Sequence, residues 1–370
     1  MRKLKLLYKR IPYGLKHPLQ NKYNKSIIIE KFNMQKDNNL KYLFENNEAG
    51  IWMNSFHKLW GSNKNISEIL CAFTEDKIEF VKKLDKAVEG PILISVVKNE
   101  GHRIESFINH YRLIGVKKFA ILDNNSNDGT REWLCNQEDC EVFLTEQPYS
   151  TYRREGWINR IISFYGFNKW YVVVDSDEHL VYSNHETVDI NQFISLVKEK
   201  GYKRVRSLML DMYPKEKINP DESDLNSNYI SQYSYFDKDT YTVTNELGGL
   251  MVKGGPRKRI FDLEVYLTKH PIFYFQVGDI QGHSHYQYPY SKNQGLPCFA
   301  ALLHYKFLNS DLKKYEDRVK SNSFYNGSEE YKQYLNVFNR NRGITFYYEG
   351  SEEYVNSKSL SEIDFIKQLK

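Results

Sequence analysis

Short apolar runs alternate with amphipathic stretches over residues 91–211. The runs have the length and the β-branched or aromatic composition of buried strands: Ile92–Val97, Lys118–Leu122, Glu141–Leu144, Trp170–Val174 and Arg204–Asp211. Between them, apolar residues recur at helical spacing in 101–114, 154–165 and Ile190–Lys200, and Thr130 is placed to cap a short helix through Leu134. Strands that alternate with helices predict an α/β fold with a Rossmann-like, mixed but mostly parallel sheet between helices.

The acidic run Asp175-Ser176-Asp177-Glu178 comes directly after the fourth of these strands. On an extended chain alternate side chains share a face, so we expect Asp175 and Asp177 to point together and Glu178 elsewhere. Paired carboxylates repel each other and are tolerated mainly when a hard cation lies between them. The carboxyl end of a strand is also where open α/β sheets bind ligands. An isolated Asp-x-Asp is more often a plain acidic turn, and the flanking sequence must decide between the two.

Composition narrows the class of protein. The 370 residues are 41% hydrophobic and 15% aromatic, which is enough for a sizeable core and excludes wholesale disorder. A formal charge of +5 argues against a dedicated nucleic-acid binder. Residues 1–40 nevertheless hold ten Lys or Arg against only Glu30 and Asp37. Two interpretations of this basic arm are open: peripheral contact with an anionic membrane surface, or a solvated terminus.

Targeting signals and cysteine usage predict a location. No apolar run approaches the roughly 18 residues of a membrane span, and Lys5 interrupts the apolar residues near the N-terminus. The four cysteines fit neither a disulfide framework nor a zinc spacing, and free thiols are expected at Cys135 and Cys140. We therefore expect a reduced, cytoplasmic protein, with the inner membrane face as the place for any peripheral contact.

Three regions are predicted along the chain. Residues 1–89 are rich in Lys and Asn and form an N-terminal extension that we expect to be helical. Residues 90–310 contain the α/β series. Residues 311–370 form a charged C-terminal tail that is predicted to be helical.

Six short motifs in this order resemble bacterial glycosyltransferases of the family 2-like group, which is related to family 92 and has the GT-A fold. They are Val97-Lys98-Asn99-Glu100, Asp123-Asn124-Asn125-Ser126-Asn127-Asp128-Gly129-Thr130, Val174-Asp175-Ser176-Asp177-Glu178, Leu210-Asp211-Met212-Tyr213-Pro214, Gly254-Gly255-Pro256-Arg257-Lys258-Arg259 and Leu303-His304-Tyr305-Lys306-Phe307. No single motif is specific, but six in the family's order over residues 91–310 make coincidence improbable. The resemblance implies a nucleotide-sugar donor and a divalent cation, Mn²⁺ or Mg²⁺, that stabilises the departing diphosphate.

The resemblance also implies roles for individual metal-binding residues. Asp177 is the expected direct metal ligand, and Asp175 is expected to contact the metal, a metal-bound water or the ribose. His304 is a candidate third ligand, against the equally weighted alternative of a hydrogen-bonded core histidine. The two histidines of Gly282-His283-Ser284-His285 are a competing candidate, predicted to lie on one face of a strand.

Donor binding is expected at two further places. Asp123 matches the family's base- or ribose-binding Asp, and Asn99 and Glu100 would line the same pocket. Arg257 and Arg259 lie in what reads as a Gly-rich basic turn, which could hold the donor diphosphate or a phosphate-bearing acceptor. An exposed basic loop without a ligand is the alternative.

The general base that an inverting reaction needs is left open by the sequence. Asp211, at the end of its strand, is the first candidate, followed by Glu178 and Asp262. No clear equivalent of the acidic pair that often supplies the base in family 2 is present, so base identity and stereochemistry stay open. Asp211 could also simply end its strand.

These expectations combine into a metal-dependent glycosyltransferase that moves a sugar, with uridine diphosphate as the first donor nucleotide to test, onto a surface-polysaccharide or lipid-linked glycan acceptor. Two other classes of protein remain as alternatives. A sugar-phosphate nucleotidyltransferase would have a Gly-rich basic loop after the first strand, whereas 98–103 contains one glycine. A non-catalytic glycan-binding protein would have no need for both Asp175 and Asp177.

Overall fold

The computed structural model describes residues 68–69, 72–73, 75–84, 89–219, 228–246, 249–276, 279–288, 290–321, 325–341 and 343–369. Most of the predicted N-terminal extension, including the basic arm, lies outside these residues, as do 220–227 of the polar stretch after Arg204–Asp211. The proposed boundaries at 89 and 310 stay predictions.

A mixed nine-stranded sheet forms the centre of the described part of the chain. Its strands in chain order are β1 (Glu79–Lys82), β2 (Ile92–Val97), β3 (Phe119–Asp123), β4 (Cys140–Leu144), β5 (Lys169–Val173), β6 (Glu178–Tyr182), β7 (Arg204–Asp211), β12 (Thr268–Phe275) and β15 (Cys298–His304). Short two-stranded sheets are made by β8 (Lys217–Ile218), β9 (Tyr235–Asp237), β10 (Tyr241–Glu246), β11 (Gly249–Gly254), β13 (Ile280–His283), β14 (Tyr286–Tyr288), β16 (Ile344–Thr345) and β17 (Ser351–Glu353).

Helices lie between and after the strands. They are α1 (Ile104–Leu113), α2 (Thr130–Cys135), α3 (Thr151–Tyr165), α4 (Ile190–Glu199), α5 (Tyr229–Gln232), α6 (Gly255–Phe261), α7 (Asn309–Ser321) and α8 (Tyr325–Arg340), with 3₁₀ turns at Tyr290–Asn293 and Ser357–Glu362. No helix in the described ranges is both long and apolar enough to cross a membrane. Part of the predicted helical tail is helical, in α7 and α8, whereas the described residues after Arg340 form β16, β17 and a 3₁₀ turn, and β17 pairs with β9.

The predicted strands and helices through Asp211 are confirmed within one to three residues at their ends. One detail is wrong: α2 begins at Thr130 with Gly129 as its N-cap, because Gly129 takes the left-handed conformation and the Thr130 hydroxyl donates to Asp128 instead. Free thiols at Cys135 and Cys140 are confirmed.

The order of the large sheet is β1-β4-β3-β2-β5-β12-β7-β15-β6. The α/β series gives the parallel half, in which β4, β3, β2 and β5 run side by side. The remainder is mixed, since β12 is antiparallel to both β5 and β7, and β15 is parallel to β7 but antiparallel to β6. A mixed α/β sheet between helices is therefore confirmed, and two of its long strands, β12 and β15, come after the predicted α/β series.

Side chains of alternate strand residues pack into two cores, one on each face of the sheet. Leu93 and Val172 belong to the core that includes Phe107 and Tyr111 of α1. The neighbouring Ile94 and Tyr171 belong to the core around α3, where Trp157 and Ile161 are buried. Because the strands are covered on both faces, the ends of the strands are where an open α/β sheet of this kind binds ligands.

Candidate functional site

Residues 174–177 form a turn between β5 and β6. The backbone N–H of Glu178 donates to Asp175 O (3.1 Å), and Tyr305 N–H donates to Asp177 O (2.8 Å). The strand-like alternation expected of Asp175 and Asp177 is therefore wrong: β5 ends at Val173, and Glu178 opens β6, which pairs with β15 rather than with β5.

Asp175 is paired with two cations. Arg154 of α3 donates to one carboxylate oxygen, and Lys269 Nζ of β12 lies 3.0 Å from the other. The Asp175 side chain is still 36% exposed. Burial alone would raise the pKa of Asp175, but the charges of Arg154 and Lys269 hold it well below its ordinary value. The carboxylate is thus ionised and held in one orientation.

Glu178 lies beneath this pair rather than in front of it. Its two oxygens are 2.8 and 2.6 Å from Lys269 Nζ, and one also accepts from Asp175 N–H at 3.0 Å. The side chain is only 2% exposed. This geometry argues against the predicted role of Glu178 as general base, because an acceptor hydroxyl would have to displace a buried ammonium to reach it.

Asp177 faces His304, the last residue of β15. Asp177 Oδ2 lies 3.4 Å from His304 Nε2, with side chains 22% and 5% exposed. Burial would raise the pKa of Asp177, but the imidazole holds it well below the usual range; burial would lower the pKa of His304, but Asp177 raises it. Asp177 Oδ2 and His304 Nε2 are close enough to bind the same cation. Two ligands that each lie about 2.1 Å from Mg²⁺, at right angles to each other, are about 3 Å apart.

A second carboxylate contacts the other side of the same imidazole. Asp211 ends β7 and lies opposite His304 in the parallel register of β7 and β15. Asp211 Oδ1 is 2.6 Å from His304 Nδ1. Arg257 makes a two-pronged pair with Asp211, from Nε to Oδ2 (2.9 Å) and from Nη2 to Oδ1 (2.8 Å). Burial would raise the pKa of Asp211, but Arg257 and His304 keep it well below its ordinary value.

These contacts argue against Asp211 as a general base as well. The side chain is 0% exposed, and both oxygens are engaged by Arg257. Asp262 differs in the opposite way: it is 83% exposed at the end of α6 and pairs with Lys258 at 2.6 Å. It therefore lies outside the buried cluster of Asp175, Asp177 and His304.

The basic segment Gly254–Arg259 is not a turn, because its last five residues form the start of α6. Arg257 is committed to Asp211, and Arg259 makes a similar two-pronged pair with Asp237 at 3.0 and 2.7 Å. The predicted use of both arginines for a diphosphate is thus at odds with their contacts, since each guanidinium already has a carboxylate partner.

Asp123 and the Asn99-Glu100 segment are brought together at the next strand ends. Asp123 Oδ1 accepts from Ser126 N–H at 2.9 Å, whereas its Oδ2 is buried and has no hydrogen-bond partner within the described ranges. Asn99 N–H donates to the Ser126 hydroxyl (2.9 Å), and Glu100 N–H donates to the Thr130 hydroxyl (2.9 Å). A buried acceptor without a donor is costly unless a ligand supplies one.

The two histidines of the competing candidate do not share a strand face. His283 ends β13, and His285 lies in the turn before β14, where its Nδ1 is 3.1 Å from Thr268 O. The rings meet edge to face with centroids 5.4 Å apart. Neither histidine belongs to the group of converging metal-ligand side chains found among the described residues.

A different set of donor atoms does converge. Among the described residues, Glu100, His102 and Asp311 each offer one possible metal-binding atom, and these three atoms lie within 4.8 Å of one another. The guanidinium of Arg103 already lies inside this group, 3.1 Å from Glu100 and 3.0 Å from His102, and it also pairs with Asp311. A structural ion cluster accounts for the arrangement, because Arg103 and Lys314 together balance the charges of the two carboxylates.

The same finding shows that Asp175, Asp177 and His304 do not have three donor atoms that close together. Neither Arg154 nor Lys269 was predicted from the sequence to pair with Asp175. Lys269 lies inside an ordinary strand with no motif around it, and Arg154 lies near the start of α3, where charged residues are common. Neither family models nor curated proteins match the chain.

Proposed function

We propose that this chain is a metal-dependent glycosyltransferase with a GT-A fold that uses a nucleotide-sugar donor. The observation that carries the proposal is the 3.4 Å approach of Asp177 Oδ2 and His304 Nε2 at the carboxyl end of β15, beside the partly exposed carboxylate of Asp175. Carboxylate oxygen and imidazole nitrogen suit Mn²⁺, and carboxylate with phosphate and water suits Mg²⁺.

Asp177 and His304 would hold the cation, with waters and diphosphate oxygens as its remaining ligands. When bound, the cation supplies positive charge for the diphosphate as the bond to the sugar breaks. Asp175 would not bind the cation directly, because its carboxylate oxygens are already paired with Arg154 and Lys269. Of its predicted roles, contact with a metal-bound water or with the ribose suits this pairing best.

Asp123 would bind the nucleoside. Its partnerless Oδ2 is a full acceptor, and ribose hydroxyls or a base N–H are donors of the required kind. Only β2 separates β3, which ends at Asp123, from β5, which leads into the turn that holds Asp177. A nucleoside diphosphate would lie along this edge of the sheet, with the nucleoside at Asp123 and the phosphates at Asp177.

The acceptor proposed is a surface-polysaccharide or lipid-linked glycan, and its support is the resemblance alone. The GT-A fold likewise rests on the motifs, together with a mixed α/β sheet that is compatible with it.

Incubation with a panel of sugar nucleotides and Mn²⁺, without acceptor, tests the proposal. We expect slow hydrolysis of one donor, loss of that hydrolysis on chelation, and loss in Asp177→Asn. Absence of hydrolysis with uridine, guanosine, cytidine and thymidine donors alike would count against the proposal. Pyrophosphate release from a nucleoside triphosphate and a sugar phosphate would instead favour the nucleotidyltransferase.

A further inference from the structure

Asp211 and Arg257 are buried charged residues that neither donor binding nor metal ligation explains. Their side chains are 0% and 4% exposed. A buried ion pair adds little stability over an apolar pair of the same volume, so its presence beside a reactive group calls for a reason. The group beside it is the imidazole of His304.

The register of the sheet fixes this contact. β7 and β15 are parallel, with Asp211 and His304 paired at their carboxyl ends, and Met212 N–H donates to His304 O at 2.9 Å. Both side chains therefore leave the sheet at the same edge. Arg257 then anchors Asp211 through two parallel N–H···O bonds, which is the strongest and most directional way to hold a carboxylate.

The hydrogen-bond partners indicate which imidazole nitrogen carries a proton. Asp211 Oδ1 lies 2.6 Å from His304 Nδ1, and an ionised carboxylate can only accept, so Nδ1 is assigned as the donor. Arg257 Nη2 also lies 2.8 Å from Nδ1, but it has an acceptor in Asp211 Oδ1 at the same distance. With Nδ1 protonated, the lone pair available to a cation is on Nε2, which faces Asp177.

We propose that Asp211 and Arg257 are positioning residues that hold His304 as the Nδ1–H tautomer, with Nε2 directed at the cation shared with Asp177. This inference rests on the proposed function. It reassigns Asp211 from candidate base to orienting group, in the way that carboxylates behind metal-ligating histidines fix the ring and its tautomer. Arg257 acts through Asp211 and does not touch the donor.

The test compares two variants. In each, an arginine of α6 loses the buried carboxylate with which it is paired. Asp211→Asn breaks the charge pair with Arg257 and leaves an amide that can donate to Nδ1, which favours the wrong tautomer. Asp237→Asn breaks the equivalent pair with Arg259 without a contact to His304. Mn²⁺ is titrated calorimetrically into each protein with saturating uridine diphosphate, or whichever nucleoside diphosphate the wild type prefers.

We expect Asp211→Asn to weaken Mn²⁺ binding by about 10- to 100-fold and Asp237→Asn to leave it within about twofold of wild type. Equal Mn²⁺ affinity in Asp211→Asn and wild type would overturn the inference while leaving the proposed function standing. No Mn²⁺ binding by wild type with any nucleotide would instead remove the proposed function itself.

A measurement on the unaltered protein covers the case in which Asp211→Asn does not fold. The ¹⁵N chemical shifts of His304, assigned by loss of its signals in His304→Gln, are recorded with Mg²⁺ and the nucleotide. The inference predicts a protonated Nδ1 and an unprotonated Nε2. A protonated Nε2 with a bare Nδ1 in that complex would contradict it.

Discussion

Lys269 Nζ lies 3.0 Å from Asp175 Oδ2, so the first carboxylate of the Asp-Ser-Asp motif has a buried ammonium partner within the protein itself. The second carboxylate, Asp177, has the imidazole of His304 instead. An ammonium on a strand is a permanent partner, whereas an imidazole nitrogen with a lone pair can share a cation with the carboxylate that faces it. Asp175 and Asp177 therefore differ in role: the first is held in an ion pair within the protein, and the second is placed to bind a cation.

Lys269→Met should destabilise the fold. The substitution leaves Glu178, 2% exposed, without its counter-charge, and removing one partner of a buried pair costs about 3–5 kcal/mol. We expect about 3 kcal/mol, because the 36% exposure of Asp175 lets water compensate part of the loss. Urea unfolding measures it, with Lys258→Met as control, since Lys258 pairs with the exposed Asp262 and should leave the midpoint unchanged. A Lys269→Met midpoint equal to that of the control would refute the buried pair.

Asp177→Asn and Asp175→Asn should differ in severity. Loss of Asp177 removes a proposed metal ligand, and we expect donor hydrolysis to fall by at least about 100-fold. Loss of charge at Asp175 leaves Asp177 and His304 in place, so a fall of about tenfold is expected. Initial rates of donor hydrolysis at several Mn²⁺ concentrations measure both. If Asp175→Asn is the more damaging, the assignment of the direct ligand is reversed.

Asp123→Asn should weaken nucleotide binding with little effect on metal binding. Asn keeps an oxygen for Ser126 N–H but presents an NH₂ group where the partnerless Oδ2 now lies. A hydrogen bond to a charged acceptor is worth about 1.5–3 kcal/mol, which corresponds to about 10- to 100-fold in dissociation constant. Calorimetric titration of the preferred nucleoside diphosphate with Mg²⁺ measures it. An unchanged dissociation constant would place the nucleoside elsewhere.

Buried His270 should make the fold weaken as the solution is acidified. Burial, together with the positive charge of the Arg206 guanidinium, lowers the pKa of His270 to about 3. The carbonyl of His285 faces its Nδ1 at 3.3 Å, and Arg206 Nε is 3.4 Å from its Nε2. Because the unfolded chain takes up this proton near pH 6.5 and the folded chain only near pH 3, the stabilisation is complete above pH 6.5 and is lost as the pH falls.

Between pH 6.5 and pH 5 this loss amounts to about 2 kcal/mol of unfolding free energy. Urea unfolding at the two pH values should show a correspondingly smaller loss in His270→Gln, whose amide does not titrate. Other histidines contribute equally to both proteins and cancel in the comparison. The same pH dependence in wild type and variant would mean that His270 is protonated in the fold.

The elements that sequence predicted well are those whose pattern is local. β2 and β7 were predicted with their exact bounds, because the apolar residues of each strand and the polar residue that ends the run are visible within a few positions. β12 was missed, since Thr268, Lys269 and His270 at its start are polar, and only its long-range pairing with β5 and β7 makes it a strand. α6 was mistaken for a turn because Gly254 and Gly255 lie at its N-terminal end, although Pro in the first helical turn is typical of a helix start.

The candidate site divides in the same way. The motifs identified the side chains that gather at the sheet's edge, among them Asp123, Asp177 and His304. They did not reveal which cation pairs with which carboxylate, because Lys269 and Asp175 are far apart in sequence and meet only through strand pairing. The general base is still without a candidate of suitable geometry among Asp211, Glu178 and Asp262.

Metal binding that depends on a nucleotide tests the central claim most directly. Mn²⁺ is titrated into the protein alone and with uridine, guanosine, cytidine or thymidine diphosphate, and binding is followed by electron paramagnetic resonance. The account predicts one tightly bound Mn²⁺ per chain with a preferred nucleotide, weak binding without it, and loss of the tight site in Asp177→Asn and His304→Gln. Tight Mn²⁺ binding that survives both substitutions, or no binding with any of the four nucleotides, would contradict it.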